Sequence, residues 1–112
     1  MEHLTRIFKI LSDETRLRIL LLLLKEELCV CQIGGILDSP QPKISKNLSK
    51  LKDVDLVQVR RDEKYMYYSI KKNQQVLIRI LDDIWSDYEN DPIFQQDLEQ
   101  LKNKEHFLNQ CK

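Results

Sequence analysis

The sequence predicts a mainly α-helical chain carrying one β-hairpin, and three observations lead there. Apolar residues recur at three- and four-residue spacing along most of the 112 residues, the mark of helices with one buried face. One stretch, residues 57–70, switches to a period of two. Only two glycines and three prolines interrupt the chain, while 32% of its residues are charged, so loops are few and helix surfaces well solvated.

Leu4, Ile7, Phe8 and Leu11 share one helical face and define a first helix over residues 3–11. In "SDETRLRILLLLL", Ser12 or Asp13 can cap a second helix, with Glu14 in the first turn where the helix dipole favours it. Leu17, Leu20, Leu21 and Leu24, widened by Ile19, Leu22 and Leu23, bury that helix deeply. A short third helix is expected from about Cys29 to Leu37. In the next stretch Ser39 or Asp38 can cap, and Pro40 and Pro42 are tolerated only in a first turn. Ile44, Leu48 and Leu51 then mark the buried side of a fourth helix, over residues 41–52.

Val57, Val59 and then Tyr65, Tyr67 with Ser69 alternate against Met66, Tyr68 and Ile70 across "RDEK" as a hairpin. Its turn lacks Gly or Asn-Gly and is expected to exceed two residues. Leu77, Leu81, Ile84 and Tyr88 stripe the following helix, residues 74–88. A last helix starts at Asp91–Pro92, with Phe94, Leu98, Leu101 and Leu108 as its seam. Two short helices joined by a tight turn and followed by a hairpin describe a winged helix-turn-helix. It forms one domain over residues 1–112, with the helix-turn-helix at about 29–52, the wing at about 57–70 and C-terminal helices at about 74–110.

Net charge is zero, but its distribution is uneven: residues 41–72 carry +5 and residues 82–112 carry −5. A basic middle is a local electrostatic footprint for nucleic acid. A major groove admits a helix whose side chains reach base edges while cations meet phosphates. Gln41, Lys43, Ser45 and Lys46 stand at the leading end of the fourth helix, Ser49 and Lys50 follow, and Arg60, Arg61 and Lys64 lie at the wing. Lysines on one helix alone are ordinarily a solvated face; here helix and hairpin are basic together.

The longest apolar run, Ile19 to Leu24, is six residues, so no membrane span is expected, and nothing at the N-terminus reads as a secretory leader. Three cysteines in such a chain point to a reducing cytoplasm and free thiols. No nucleophile–base or paired-carboxylate arrangement is present, and no enzyme activity or permanently bound cofactor is expected. Cys29 and Cys31 read in two ways: small buried residues, or ligands for a soft ion. Residues i and i+2 of a helix point about 200° apart, so two thiolates there can share an ion only at a helix start or after the first turn unwinds. Gly34 and Gly35, each costing a helix about 1 kcal/mol against alanine, leave that helix easy to deform.

"LSDETRLRILLLL", "ELCVCQI", "QPKISKNLSKLKDVDLV" and "RRDEKYMYYSI" appear in order between residues 4 and 72. Together they closely resemble the ArsR/SmtB family of dimeric, metal- or metalloid-responsive bacterial repressors. The resemblance implies a homodimer through the first helix and the helix after the wing, here Leu4, Ile7, Phe8, Leu77, Leu81, Ile84, Trp85 and Tyr88. A symmetric dimer implies a near-palindromic double-stranded operator.

In the family ELCVC is a ligand motif of arsenic/antimony and of cadmium/lead sensors, so the resemblance makes Cys29 and Cys31 metal(loid) ligands. Arsenite or antimonite is the implied effector, with cadmium or lead the alternative. The cadmium/lead type borrows further cysteines from upstream, and no cysteine precedes Cys29 here. The one remaining candidate for a third thiolate on trivalent arsenic is Cys111, from the same or the partner subunit; the alternative is that Cys111 is a tail thiol and that solvent or a small cellular thiol fills the third position. Where arsenic sensors often place a third cysteine this chain has Gly34, where the family has Ser before Gln-Pro it has Pro40, and its wing tip lacks glycine. The family's zinc site needs histidine on the helix after the wing; Asp82, Asp83 and Asp87 are there without one, and that site is not expected.

Three rivals share parts of this pattern. An oxidant-sensing repressor would need Cys111 to bridge one of the pair, because an i, i+2 disulfide is badly strained. A thiol oxidoreductase lacks its Cys-x-x-Cys motif. A helical interaction protein without DNA would show no steep salt dependence.

Overall fold

The computed structural model describes residues 1–109. The chain runs α1 (Glu2–Leu11), α2 (Glu14–Lys25), β1 (Leu28–Cys29), α3 (Val30–Leu37), α4 (Gln41–Asp53), β2 (Val57–Asp62) and β3 (Tyr65–Ile70). Three helices follow: α5 (Gln75–Asp87), α6 (Pro92–Leu101) and α7 (Lys104–Leu108). The strands form one antiparallel sheet ordered β1-β3-β2.

Helix α2 is the centre of the molecule. Asp13 caps it by accepting from the Arg16 N–H at 3.0 Å, an interaction worth about 1 kcal/mol. Five consecutive residues, Ile19 to Leu23, are buried against α1, α4, α5, α6 and β3. Each such side chain contributes roughly 1.5–3 kcal/mol on leaving water.

The turn between α3 and α4 is tight for a stated reason. Asp38 ends α3 in the left-handed region (φ 51°, ψ 52°), and the Ser39 N–H donates to the Gly34 carbonyl at 2.9 Å. A side chain at Gly34 would bring its Cβ to 3.1 Å from the Ser39 carbonyl oxygen. The cap expected at Asp38 or Ser39 is therefore not made: Asp38 stops α3, and Pro40 (φ −60°, ψ 142°) occupies the cap position of α4 without a side-chain bond. Ile44, Leu48 and Leu51 are fully buried under α4, as the spacing requires.

Four expectations need correction. Residues 28–29 pair with Tyr68 and Tyr67 as a third strand, and Cys29 is the non-helical cap of α3, not part of it. The wing turn has two residues, Glu63 and Lys64, between the paired Asp62 and Tyr65; Glu63 takes the positive φ of 56° that a glycine would normally supply. The last helix breaks into α6 and α7, because Lys102 to Glu105 are four polar residues in succession and give no apolar face to continue the seam.

The fourth concerns the stripe assigned to a dimer. Ile7, Leu77, Leu81 and Trp85 are buried in the protomer's own core, and the Trp85 indole N–H donates to the Leu21 carbonyl at 3.0 Å. Leu4 and Ile84 are half-buried, and Phe8 and Tyr88 remain 55% and 56% exposed.

Helices α6 and α7 close over the same subunit. Arg18 on α2 makes a two-pronged ion pair with Asp97 on α6 at 2.8 and 3.0 Å, and Asp97 holds the guanidinium above its ordinary pKa. Phe107 of α7 lies on Gly35, where a Cβ would come within 2.3 Å of two ring carbons and 2.9 Å of the Phe107 Cβ. Gly35→Ala is thus expected to displace α7 at a net cost of about 1–2 kcal/mol, overpacking offset in part by better helix propensity. Urea denaturation checks it; a stabilised variant would show that α7 docks loosely.

Candidate nucleic-acid interface and thiol pocket

Helix α4 sorts its side chains cleanly. Ile44, Asn47, Leu48 and Leu51 face the core, while Gln41, Lys43, Ser45, Lys46, Ser49 and Lys50 are exposed, so every residue assigned to DNA on this helix is presented outward. Asn47, which the spacing did not single out, turns its amide back to the Lys43 carbonyl at 3.0 Å. The segment after α4 is tied down by Gln74, whose amide donates to the Asp55 carbonyl at 2.9 Å and whose oxygen is 2.9 Å from His3 Nε2. Nothing in the periodicity marks that buried glutamine.

On the wing, Arg60, Arg61 and Lys64 are all exposed. Arg61 donates to the Glu63 carbonyl at 3.1 Å, and Lys64 lies over the Tyr65 ring at 5.4 Å. Arg60 is directed elsewhere. It pairs with Glu27 at 2.5 Å, lies 3.6 Å from Asp62 and stacks over Tyr67 at 5.0 Å. The hydrogen bond from the Arg60 guanidinium holds the Glu27 carboxyl below its usual range. Glu27 thus stands as a competitor for any phosphate that Arg60 would meet. Glu27→Gln is expected to tighten DNA binding and steepen its salt dependence by up to about one ion. A titration of binding against salt checks this; an unchanged slope would mean Arg60 does not reach the backbone.

The two cysteines sit where sheet and helix meet. Cys29 is buried, pairs with Tyr67 in the sheet and caps α3 with extended backbone (φ −93°, ψ 171°). Gln32 completes a capping-box arrangement, its Oε1 accepting the Cys29 N–H at 3.1 Å. The other end of Gln32 donates to the Lys104 carbonyl at 3.3 Å, and Lys104 pairs with Glu26 at 2.6 Å, fastening α7 beside the thiol turn. Burial, with the Cys29 sulfur adding to it, pushes the Tyr67 phenol up and keeps it neutral. Cys31 accepts from Gln41 Nε2 at 3.3 Å and, with Gly34, Gly35, Ser39, Gln41 and Phe107, lines an open pocket of about 200 Å³. The extended backbone at Cys29 sets that residue outside the regular turns of α3, where Cys31 lies.

Among the described residues no group of three or more Cys, His, Asp or Glu side chains could hold a metal ion. Cys111, the expected third ligand, lies outside the described residues. No helix among the described residues is long and apolar enough to cross a membrane.

Residues 13–59 match the family model described as bacterial regulatory protein, arsR family. The chain is 42% identical over 82 residues to the arsenical resistance operon repressor of Escherichia coli K12, a match covering 71% of this chain and 70% of that protein. It is 48% identical over 65 residues to the cadmium resistance transcriptional regulatory protein CadC of Listeria innocua, covering 57% of this chain and about half, 55%, of that one. Among solved structures, the homodimeric winged helix-turn-helix DNA-binding domain Mb0332 of Mycobacterium bovis superposes with a TM-score of 0.66 at 29% identity, covering 79% of this chain and 82% of that one. The family consists of DNA-binding transcriptional regulators and not enzymes. With an exposed basic helix, a wing beside it and these relatives, the chain belongs to the arsR family of bacterial winged helix-turn-helix regulators.

Proposed function

We propose that this protein is a dimeric repressor that holds near-palindromic operator DNA through α4 and the wing, and lets go when trivalent arsenic or antimony binds Cys29 and Cys31. The observation that carries the reading is the extended backbone of Cys29, which caps the helix immediately before the DNA-facing one. Two soft sulfur ligands flank the first turn of α3, and drawing them onto one ion reshapes that turn. The helix so deformed leads through a tight turn into α4, so the reading heads of the dimer lose their mutual alignment. The similarity to an arsenical resistance repressor supports the metalloid. Cys111 is the candidate for the third thiolate.

Cadmium or lead is the second reading, favoured by the 48% local identity to a cadmium regulator. Calorimetry on the reduced, DNA-free protein separates the two. Arsenite is expected to bind one ion per protomer with cadmium far weaker; the reverse order would move the protein to the cadmium class. Dimerisation falls to the side chains the protomer leaves outside, Leu4, Phe8, Ile84 and Tyr88, with the cytoplasm as the compartment that keeps the thiols reduced.

On DNA, Gln41, Lys43, Ser45 and Lys46 lead into the major groove, Ser49 and Lys50 follow the backbone, and Arg61 and Lys64 hold flanking phosphates. Arg60 joins them when it leaves Glu27. Lys46→Ala is expected to weaken DNA binding several-fold and to lower the salt slope by about one, with effector affinity unchanged. Equal affinity at physiological salt would move the reading surface off this helix.

A further inference from the structure

The fold gathers positive charge that the sequence scatters. Arg6 and Lys9 on α1, Arg16 on α2 and Lys50 on α4 converge on one open pocket of about 340 Å³, with Asp53 as the one carboxylate among its described lining residues. Arg6, Lys9, Lys50 and Asp53 are exposed, and Arg16 is half-buried. Unlike Arg18, Arg60 and Lys71, none of these four cations makes an ion pair among the described residues. The Arg16 guanidinium is held by its Nε, which donates to the Ile10 carbonyl at 3.2 Å and leaves both Nη groups to the pocket.

Position ties this pocket to DNA. Helix α4 has 13 residues, about 20 Å of helix, while a major groove is about 12 Å wide. With Gln41 and Lys43 leading into the groove, the end that carries Lys50 and Asp53 emerges over a sugar–phosphate strand. Lys50 belongs both to the α4 face assigned to DNA and to the pocket, so the two surfaces are continuous. On α1, at about 100° per residue, Arg6 and Lys9 stand roughly 100–160° round the helix from Leu4 and Phe8, the side chains assigned to dimerisation. A dimer through Leu4 and Phe8 therefore leaves the pocket open.

We infer that Arg6, Lys9, Arg16 and Lys50 form a second phosphate-binding site, which holds the DNA backbone beside the groove that α4 reads. This rests on the proposed binding of DNA through α4, and widens that contact to α1 and α2, which carry none of the residues assigned so far. Phosphate contacts fix register and add affinity without reading bases. Each neutralised phosphate also releases counterions and adds about 0.9 to the salt slope. Asp53 faces the same phosphates and works against them.

The test is fluorescence anisotropy of the reduced full chain across a salt series, on its own upstream duplex and on a scrambled duplex of equal length. Arg6→Gln combined with Lys9→Gln is expected to weaken binding to both duplexes by the same factor, at least about 5-fold at physiological salt. The slope of log affinity against log salt is expected to fall by about two. Asp53→Asn is expected to tighten binding to both duplexes about 2–5-fold, a gain that no loss of folding can imitate. Lys102→Gln removes the same charge from a side chain 74% exposed at the end of α6, and is expected to leave the slope unchanged.

Wild-type slopes and affinities in these variants, beside a lowered slope in Lys46→Ala, would overturn the inference and leave DNA reading by α4 intact. A loss confined to the protein's own duplex would also overturn it, by making these side chains readers of bases. An equal loss in Lys102→Gln would assign the effect to net charge and overturn it too. Calorimetry with inorganic phosphate on the DNA-free protein covers a free anion: binding that the double variant loses while its salt slope stays at the wild-type value would overturn the DNA assignment. If the double variant unfolds, Asp53→Asn decides alone, tighter binding upholding the site and unchanged binding overturning it. Failure of wild type to bind either duplex defeats the parent reading, and this one with it, before any variant is needed.

Discussion

Cys31→Ser is expected to abolish release of DNA by arsenite while leaving DNA binding itself within about 3-fold of wild type, and Cys29→Ser is expected to do the same. Changes merely behind a metal ligand commonly cost about 10–100-fold in affinity, so loss of one thiolate from a site with so few should cost at least that. The substitution is otherwise mild. Serine is slightly smaller than cysteine and can still accept the Gln41 amide, so the α3–α4 turn has no reason to shift. At residue 29 a serine oxygen is a better helix cap than sulfur, and the Gln32 bond to the backbone N–H of residue 29 is untouched. Anisotropy titrations in reducing buffer read both variants. Release persisting in both would remove the ligand assignment.

Asp97→Ala is expected to give the largest loss of stability, about 2–3 kcal/mol, or roughly 10 °C in Tm for a domain of this size. The Asp97 carboxylate is 4% exposed and Arg18 19% exposed, so the variant leaves a guanidinium mostly out of water without its two-pronged partner. The partial exposure of Arg18 lets water reach it and keeps the cost below that of a fully buried pair. Because the pair joins α2 to α6, its loss also loosens the segment that carries α7 to the thiol turn. Thermal and urea unfolding measure it. A loss under about 0.5 kcal/mol would mean that Asp97 finds no net advantage over water.

What the sequence made legible follows from where periodicity is strong. Helices α2 and α4 declare themselves through long apolar stripes, and β2 and β3 through alternation, which was enough for the winged helix-turn-helix. Strand β1 did not, because two residues, Leu28 and Cys29, carry no alternation, and only their pairing with Tyr68 and Tyr67 makes them a strand. The two-residue wing turn was hidden because Glu63 adopts a backbone that sequence rules reserve for glycine or asparagine.

The dimer stripe shows a different limit. Ile7, Leu77, Leu81 and Trp85 are apolar for the protomer's own core, and periodicity cannot say which of two neighbours a buried side chain meets. At the site, the thiols, the basic helix and the wing were all legible as residue types. Their connections were not. The Gln41–Cys31 bond crosses a tight turn, Arg60 and Glu27 are 33 residues apart, and Arg18 and Asp97 are 79 apart. Contacts of that kind depend on tertiary geometry.

The most direct measurement is fluorescence anisotropy of the reduced protein on its own upstream duplex, titrated separately with arsenite and with cadmium. The result expected is release at stoichiometric arsenite, with cadmium much weaker and no arsenite release in Cys29→Ser or Cys31→Ser. Tight DNA binding that neither ion disturbs would contradict the account, leaving the winged helix in place and the thiols without the role assigned to them.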